Sequence, residues 1–144
     1  METLAMGRVV TEATVENLED LYAVKLGVLQ PEQIRRVVIE KALVDTGAST
    51  LSLPTRFILE LGLTKLGSRR IISSTGKAET DMYGTVRLTI QGRDCPVDVL
   101  EVPDSVPTLI GQILLEQLDL VVDLRGGKLI GNPAHGGEQV FEMY

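Results

Sequence analysis

The residues best suited to chemistry form one short run, Asp45-Thr46-Gly47-Ala48-Ser49. The apolar stretch Ala42-Leu43-Val44 ends abruptly on the acid. A carboxylate at the end of a buried strand is costly unless it is paired, protonated or used. Gly47 lets the backbone turn tightly and a ligand approach where a side chain would block it. The hydroxyls of Thr46 and Ser49 can hold the loop or the carboxylate in place. Such an acid suits general acid–base work. The same five residues also read as an ordinary turn that Asp45 caps and Gly47 permits.

Other candidates carry less. Cys95 and His135 are the sole cysteine and histidine. Cys95 precedes Pro96 in a strand-like run and His135 lies in a turn-rich tail, so nothing nearby in sequence activates a thiolate. Cys95 reads as a small core residue and His135 as a solvated loop residue. One histidine excludes a His-rich or HExxH metal centre. Asp81, Asp94, Asp98, Asp119 and Asp123 lack EF-hand spacing and read as solvated edges. No metal and no cofactor is expected.

Charge narrows the partners. The 14 basic and 20 acidic residues give a net charge of −6, and the pI is near 4.8. The pairs Arg35-Arg36 and Arg69-Arg70 are too short to track a nucleic-acid backbone, so no nucleic-acid partner is expected. No apolar run reaches the ~18–20 residues that span a bilayer. The N-terminus lacks the layout of a signal peptide. With one cysteine and hence no internal disulfide, the expected location is the cytoplasm.

The elements that must position Asp45 are mostly strands. Hydrophobic residues make up 44% of the chain and aromatics only 3%, so the core is aliphatic. Strands are expected at 8–16, 34–44, 69–74, 78–90 and 95–102, with Leu51–Leu53 as a short apolar segment. Residues 17–33, interrupted by Gly27 and Pro31, read as a loop with one or two helical turns and an ordinary surface face. A helix follows Pro54, with Phe57, Ile58 and Leu61 at helical spacing and Gly62 as its stop. Thr75-Gly76-Lys77 forms a hairpin tip. A second helix covers 112–118, a closing hairpin joins 120–123 to 128–130, and 140–144 offers a last strand. The sum is mainly β with two short helices, in one domain spanning 1–144.

With its apolar lead-in, Asp45-Thr46-Gly47-Ala48-Ser49 resembles the active-site loop of retropepsin-like aspartic proteases. Leu109-Ile110-Gly111-Gln112, 64 positions after Asp45, resembles the family's second mark, and the 69–85 hairpin takes the place of its flap. The likeness covers about 34–131, and the chain is similar in particular to small bacterial and archaeal members. The insertion-like segment 17–33, a flap tip with one glycine and the tail 131–144 depart from the pattern. The resemblance implies a single-lobe, acid-protease-like closed β-barrel with one flap. It also implies a homodimer, because the chemistry needs two carboxylates and the chain carries one Asp-Thr-Gly. Asp45 would be catalytic and Thr46 would brace the paired loops. Gly47, Ala48, Ser74, Thr75 and Gly76 would bind an extended polypeptide. Ser49, Ile110 and Gly111 would support the loop.

Three functions follow. The leading one is a homodimeric aspartic endopeptidase. The others are a homodimeric peptide- or partner-binding module without catalysis, and an enzyme kept latent by the flap or by 17–33. The acid followed by Thr-Gly favours catalysis, since a binding module has no need of it. Leu43, Ile71, Ile72, Met82, Val106 and Leu109 serve equally as pocket lining or as core.

Overall fold

The computed structural model describes residues 8–73 and 76–140. Strand β1 (Val9–Asn17) leads directly into helix α1 (Leu18–Lys25), and a 3-10 turn at Pro31–Gln33 returns the chain to β2 (Arg36–Val44). After the Asp45 loop come β3 (Leu51–Pro54), α2 (Thr55–Leu61), β4 (Thr64–Ser73), β5 (Gly76–Ile90) and β6 (Arg93–Val102). The two-residue β7 (Leu109–Ile110) opens into α3 (Gln112–Leu118), and β8 (Leu120–Asp123) and β9 (Lys128–Gly131) complete the strands.

Seven strands lie in the order β1-β2-β7-β3-β6-β5-β4, and β1 also pairs with β5. That extra pairing closes a six-stranded ring and leaves β4 outside it, attached to β5 alone. Closure removes the exposed edges that an open sheet would present. β5 reaches this far because it is long: Gly76–Gly84 pairs with β4, while Val86–Thr89 pairs with β1. The chain before residue 34 is therefore part of the barrel. β8 and β9 form a separate hairpin.

The alternation of apolar and polar residues decides which face turns inward. Along β5, Val86, Leu88 and Ile90 are buried while the residues between them are partly exposed. On β1, Ala13 and Val15 are buried, after a bulge between Thr11 and Ala13 that resets the register. All four residues of β3 are buried, as in a strand covered on both faces. The core is aliphatic throughout, with Phe57 and Tyr83 only at its margin.

Several boundaries differ from those expected. The described residues form three α-helices, because 17–33 supplies the eight-residue α1. The Asn17 side chain caps it by accepting from the Asp20 amide at 3.1 Å, and Asp20 then holds Arg35 at 2.9 Å. A cap and a long-range ion pair outweigh a weak apolar face. The β4–β5 hairpin is longer than expected: β4 begins at Thr64, and Gly76 opens β5 opposite Ser73. Gly62 does end α2, with a left-handed φ of 61°. Val140 lies outside any strand, and the remainder of the proposed last strand falls beyond the described residues.

Candidate active site

Asp45 is placed by backbone bonds on both sides of it. β2 runs parallel to β7, pairing Leu43 with Leu109 and Val44 with Ile110. Leu43 donates its amide to Thr108 O at 2.8 Å and Asp45 donates to Ile110 O at 3.0 Å. The acid thus sits one residue past the strand, with its main chain tied to the fully buried Ile110.

The loop then turns back on the carboxylate. Ala48 donates its amide to Asp45 O at 3.0 Å, and Gly47 donates to Asp45 Oδ1 at 3.0 Å. A Cβ on residue 47 would lie 3.2 Å from that same Oδ1, so glycine keeps the approach to the acid clear. Asp45 Oδ2 has no hydrogen-bond partner among the described residues. Asp45 and Ala48 are half-buried, while Thr46, Gly47 and Ser49 are exposed.

The head of α3 fastens the loop from behind. Gly111, Gln112 and Ile113 donate their amides to Thr50 O at 3.0 Å, Ala48 O at 2.9 Å and Ser49 O at 3.2 Å. These are donors that a helix start leaves unsatisfied, here spent on the catalytic-loop candidate. The two sequence marks, 64 positions apart, are therefore one structural unit.

Beside the loop lies a groove of about 470 Å³, lined by Ser49 and Thr50 of the loop, Arg69, Arg70 and Ile71 of β4, Met82 of β5, Asp98 and Leu100 of β6, and Ile113 of α3. Of the candidate site residues, Ser49 reaches this lining. Asp45, Thr46, Gly47, Ala48, Ile110 and Gly111 belong to the adjoining loop unit, and Gly76 stands at the far end of the hairpin. Ser74 and Thr75 fall outside the described residues. Ile71 and Met82 line the groove. Ile72 is 83% exposed, and Leu43, Val106 and Leu109 are half-buried away from the groove's lining.

Thr50, Arg69, Arg70, Asp98, Leu100 and Ile113 are groove residues that the sequence reading did not single out for this site. The adjacent arginines on one strand were the one available signal. A second cavity, about 260 Å³, is lined by Glu79, Asp81 and Glu101 with Thr55, Thr80, Val102 and Pro103. It contains no residue of the Asp45 loop.

Two expectations about single residues are corrected. Asp119 is not a solvated edge and His135 is not a free loop residue. Asp119 is buried at the left-handed C-cap of α3. It accepts from Asn132 Nδ2 at 3.1 Å and the Val140 amide at 2.9 Å, and lies 2.6 Å from His135 Nδ1. The tail folds back over α3, which local composition does not reveal. Burial tends to raise the Asp119 carboxyl, but the bonds from His135, Val140 and Asn132 outweigh it and hold it below its ordinary value. Cys95 is buried in the core as expected, and burial followed by Asp94 pushes its thiol up to about 11.

Among the described residues, no group of three or more His, Cys, Asp or Glu side chains is placed to hold a metal ion. Nor is any helix among them long and apolar enough to cross a membrane.

No curated protein matches the chain. Among solved structures, the simian foamy virus (mac) protease, determined in solution, is similar with a TM-score of 0.47 and 19% identity, over 76% of this chain and 93% of that one. The profile of a family described as aspartyl protease matches residues 35–114. That match spans more than half of the sequence and includes the Asp45 loop, the β4–β5 hairpin and the start of α3. The chain belongs to the aspartyl protease family and is an aspartic-type peptidase.

Proposed function

We propose that the protein is an endopeptidase that cleaves extended polypeptide as a homodimer, with Asp45 of each subunit forming the catalytic pair. One observation carries the reading: a single Asp-Thr-Gly loop is fixed by β2, β7 and α3, and a groove opens beside it. One chain brings one such acid, and amide hydrolysis by carboxylates needs two.

The chemistry follows from their proximity. Like charges about 3 Å apart cannot both ionise, so the pair shares one proton. The ionised Asp45 takes a proton from water as the oxygen attacks the scissile carbonyl carbon. The protonated Asp45 donates to the carbonyl oxygen, giving a tetrahedral diol. Proton transfer to the amide nitrogen lets the C–N bond break, leaving a carboxylic acid and an amine.

Thr46, exposed beside the acid, would brace the loop against its twin across the dimer axis. Gly47 and Ala48 would bind substrate backbone, Gly47 through its carbonyl, and the flap residues Ser74, Thr75 and Gly76 would close over it. Ser49, Ile110 and Gly111 keep the loop in place.

The test is cleavage of an unfolded protein at mildly acidic pH by wild type and Asp45→Asn, with sedimentation at micromolar concentration. Cleavage by wild type, a loss of about 10²–10⁴-fold in the variant, and a dimer in both are expected. Equal cleavage by the variant, or a strictly monomeric active species, overturns the proposal. Tight peptide binding without cleavage by either protein would instead support a non-catalytic peptide-binding dimer.

A further inference from the structure

Five arginines of this chain are engaged within the fold. Arg35 pairs with Asp20 at 2.9 Å, Arg36 and Arg87 pair with Glu16 at 2.7 and 2.8 Å, and Arg56 pairs with Asp104 at 3.5 Å. Arg93 donates to the carbonyls of Leu118 and Asp119. These side chains fasten the fold. The side chains of Arg8, Arg69, Arg70 and Arg125 do not: among the described residues none of them has a carboxylate within ion-pair distance, and of these four Arg69 and Arg70 line the groove beside the Asp45 loop.

Their surroundings make the contrast informative. Glu79 stands directly across from Arg70 in the β4–β5 register, yet it makes no ion pair with it and lines the separate acidic cavity. Asp98 is the one acid in the groove, and its Oδ1 already accepts from Thr85 Oγ1 at 2.7 Å. In a chain of net charge −6, the groove's lining includes two arginines and one engaged carboxylate. Its remaining wall includes apolar side chains from four elements: Ile71, Met82, Leu100 and Ile113. Ile71 is 37% and Ile113 55% exposed, so an apolar substrate side chain would cover surface that now faces water.

We infer that Arg69 and Arg70 set the substrate class, selecting polypeptide segments in which a carboxylate neighbours an apolar residue. The guanidinium fork matches a carboxylate geometrically, and a charge-assisted bond is stronger than a neutral one. Both arginines are exposed, which limits the gain to about five-fold in affinity. The carboxylate has two sources, an Asp or Glu side chain or the end of the polypeptide itself. The inference rests on the peptidase reading of this site.

The test uses fluorescence anisotropy with labelled peptides and the Asp45→Asn protein, which reads binding apart from cleavage. Peptides of about ten residues, long enough to lie extended along a flap, carry Leu-Glu, Leu-Gln or Leu-Lys at the centre. Both ends are capped, and one Leu-Gln peptide has a free C-terminal carboxylate close to the leucine. Tighter binding of Glu than Gln by about five-fold is expected, with Lys weakest. The advantage should shrink as salt rises from about 0.05 to 0.5 M, and the Glu/Gln ratio should fall to about one in R69Q/R70Q. Each ratio is internal to one protein, so partial misfolding of the double variant lowers both affinities without mimicking the effect.

An advantage confined to the free-acid peptide assigns the carboxylate to a chain end. Equal binding of all peptides, or a ratio unchanged in R69Q/R70Q, overturns the inference. Cleavage of the same peptides by wild type reports separately on the peptidase. Binding selectivity without cleavage would defeat that reading and leave the charge preference standing, whereas cleavage without selectivity would do the reverse.

Discussion

Gly111 and Thr50 are in direct backbone contact. The Gly111 amide donates to Thr50 O at 3.0 Å, and a Cβ on Gly111 would lie 2.6 Å from Thr50 N and 2.7 Å from Thr50 O. The same atom would press on the carbonyl carbon of Ser49. The head of α3 can therefore reach the Asp45 loop only through a residue without a side chain. Gly111 has an extended, negative φ of −85°, so its glycine is required by close approach and not by backbone conformation.

Gly111→Ala should consequently push the loop away from α3, at a cost of about 1–3 kcal/mol for overpacking against main chain that cannot yield. Activity should fall more than stability, because Asp45 lies at the other end of the displaced loop. Urea unfolding and peptide cleavage on one preparation check this. A variant with wild-type stability and activity would show the contact to be unimportant.

Glu16 joins three strands of the ring. Its carboxylate, on β1, takes bonds from Arg36 of β2 and Arg87 of β5 and is only 4% exposed. Burial tends to raise its pKa, but the two guanidinium groups outweigh it and hold it below the ordinary value. Glu16→Gln would leave both arginines without their counter-ion. They are half-exposed, so water recovers part of the loss, and about 1–2 kcal/mol of stability should disappear at pH 7. A lower urea midpoint at unchanged slope is the expected result, and an unshifted midpoint would contradict it.

The tail should loosen in acid. The folded Asp119 carboxyl titrates below its ordinary value of 3.8, so the stability its bonds confer is complete above that value. It is lost as pH falls through the lower folded value. Asp119→Asn should therefore melt below wild type at pH 7, and the gap should close as pH drops below about 4. Melting curves across this range check the prediction, and a gap independent of pH would refute it.

Cys95 should be inert in the folded protein. With its thiol pushed up to about 11 and its side chain buried, alkylation at pH 8 should run at least ~100-fold slower than in urea-unfolded protein. Mass spectrometry of iodoacetamide-treated samples measures both rates. Comparable labelling in the two states would place Cys95 at an accessible position.

The amino-acid sequence by itself determined the candidate acid, the two motifs that meet around it, the aliphatic core and most of the strands. Such features are local: a strand end, a glycine and a two-residue period are visible in neighbouring residues. Gly62 as the end of α2 and the start of α3 at Gln112 were legible for the same reason. What tertiary structure alone decided are the relations between distant residues. β1 closes the ring through β5, Asp20 secures α1 by reaching Arg35, and Asp119 is buried beneath a tail that returns to it. Composition marked Arg35-Arg36 and Arg69-Arg70 as equivalent pairs. Folding gave the first pair carboxylate partners and left the second beside the groove, because an ion pair depends on which strands become neighbours, and the strands that join Glu16 to Arg87 bring together residues 71 apart.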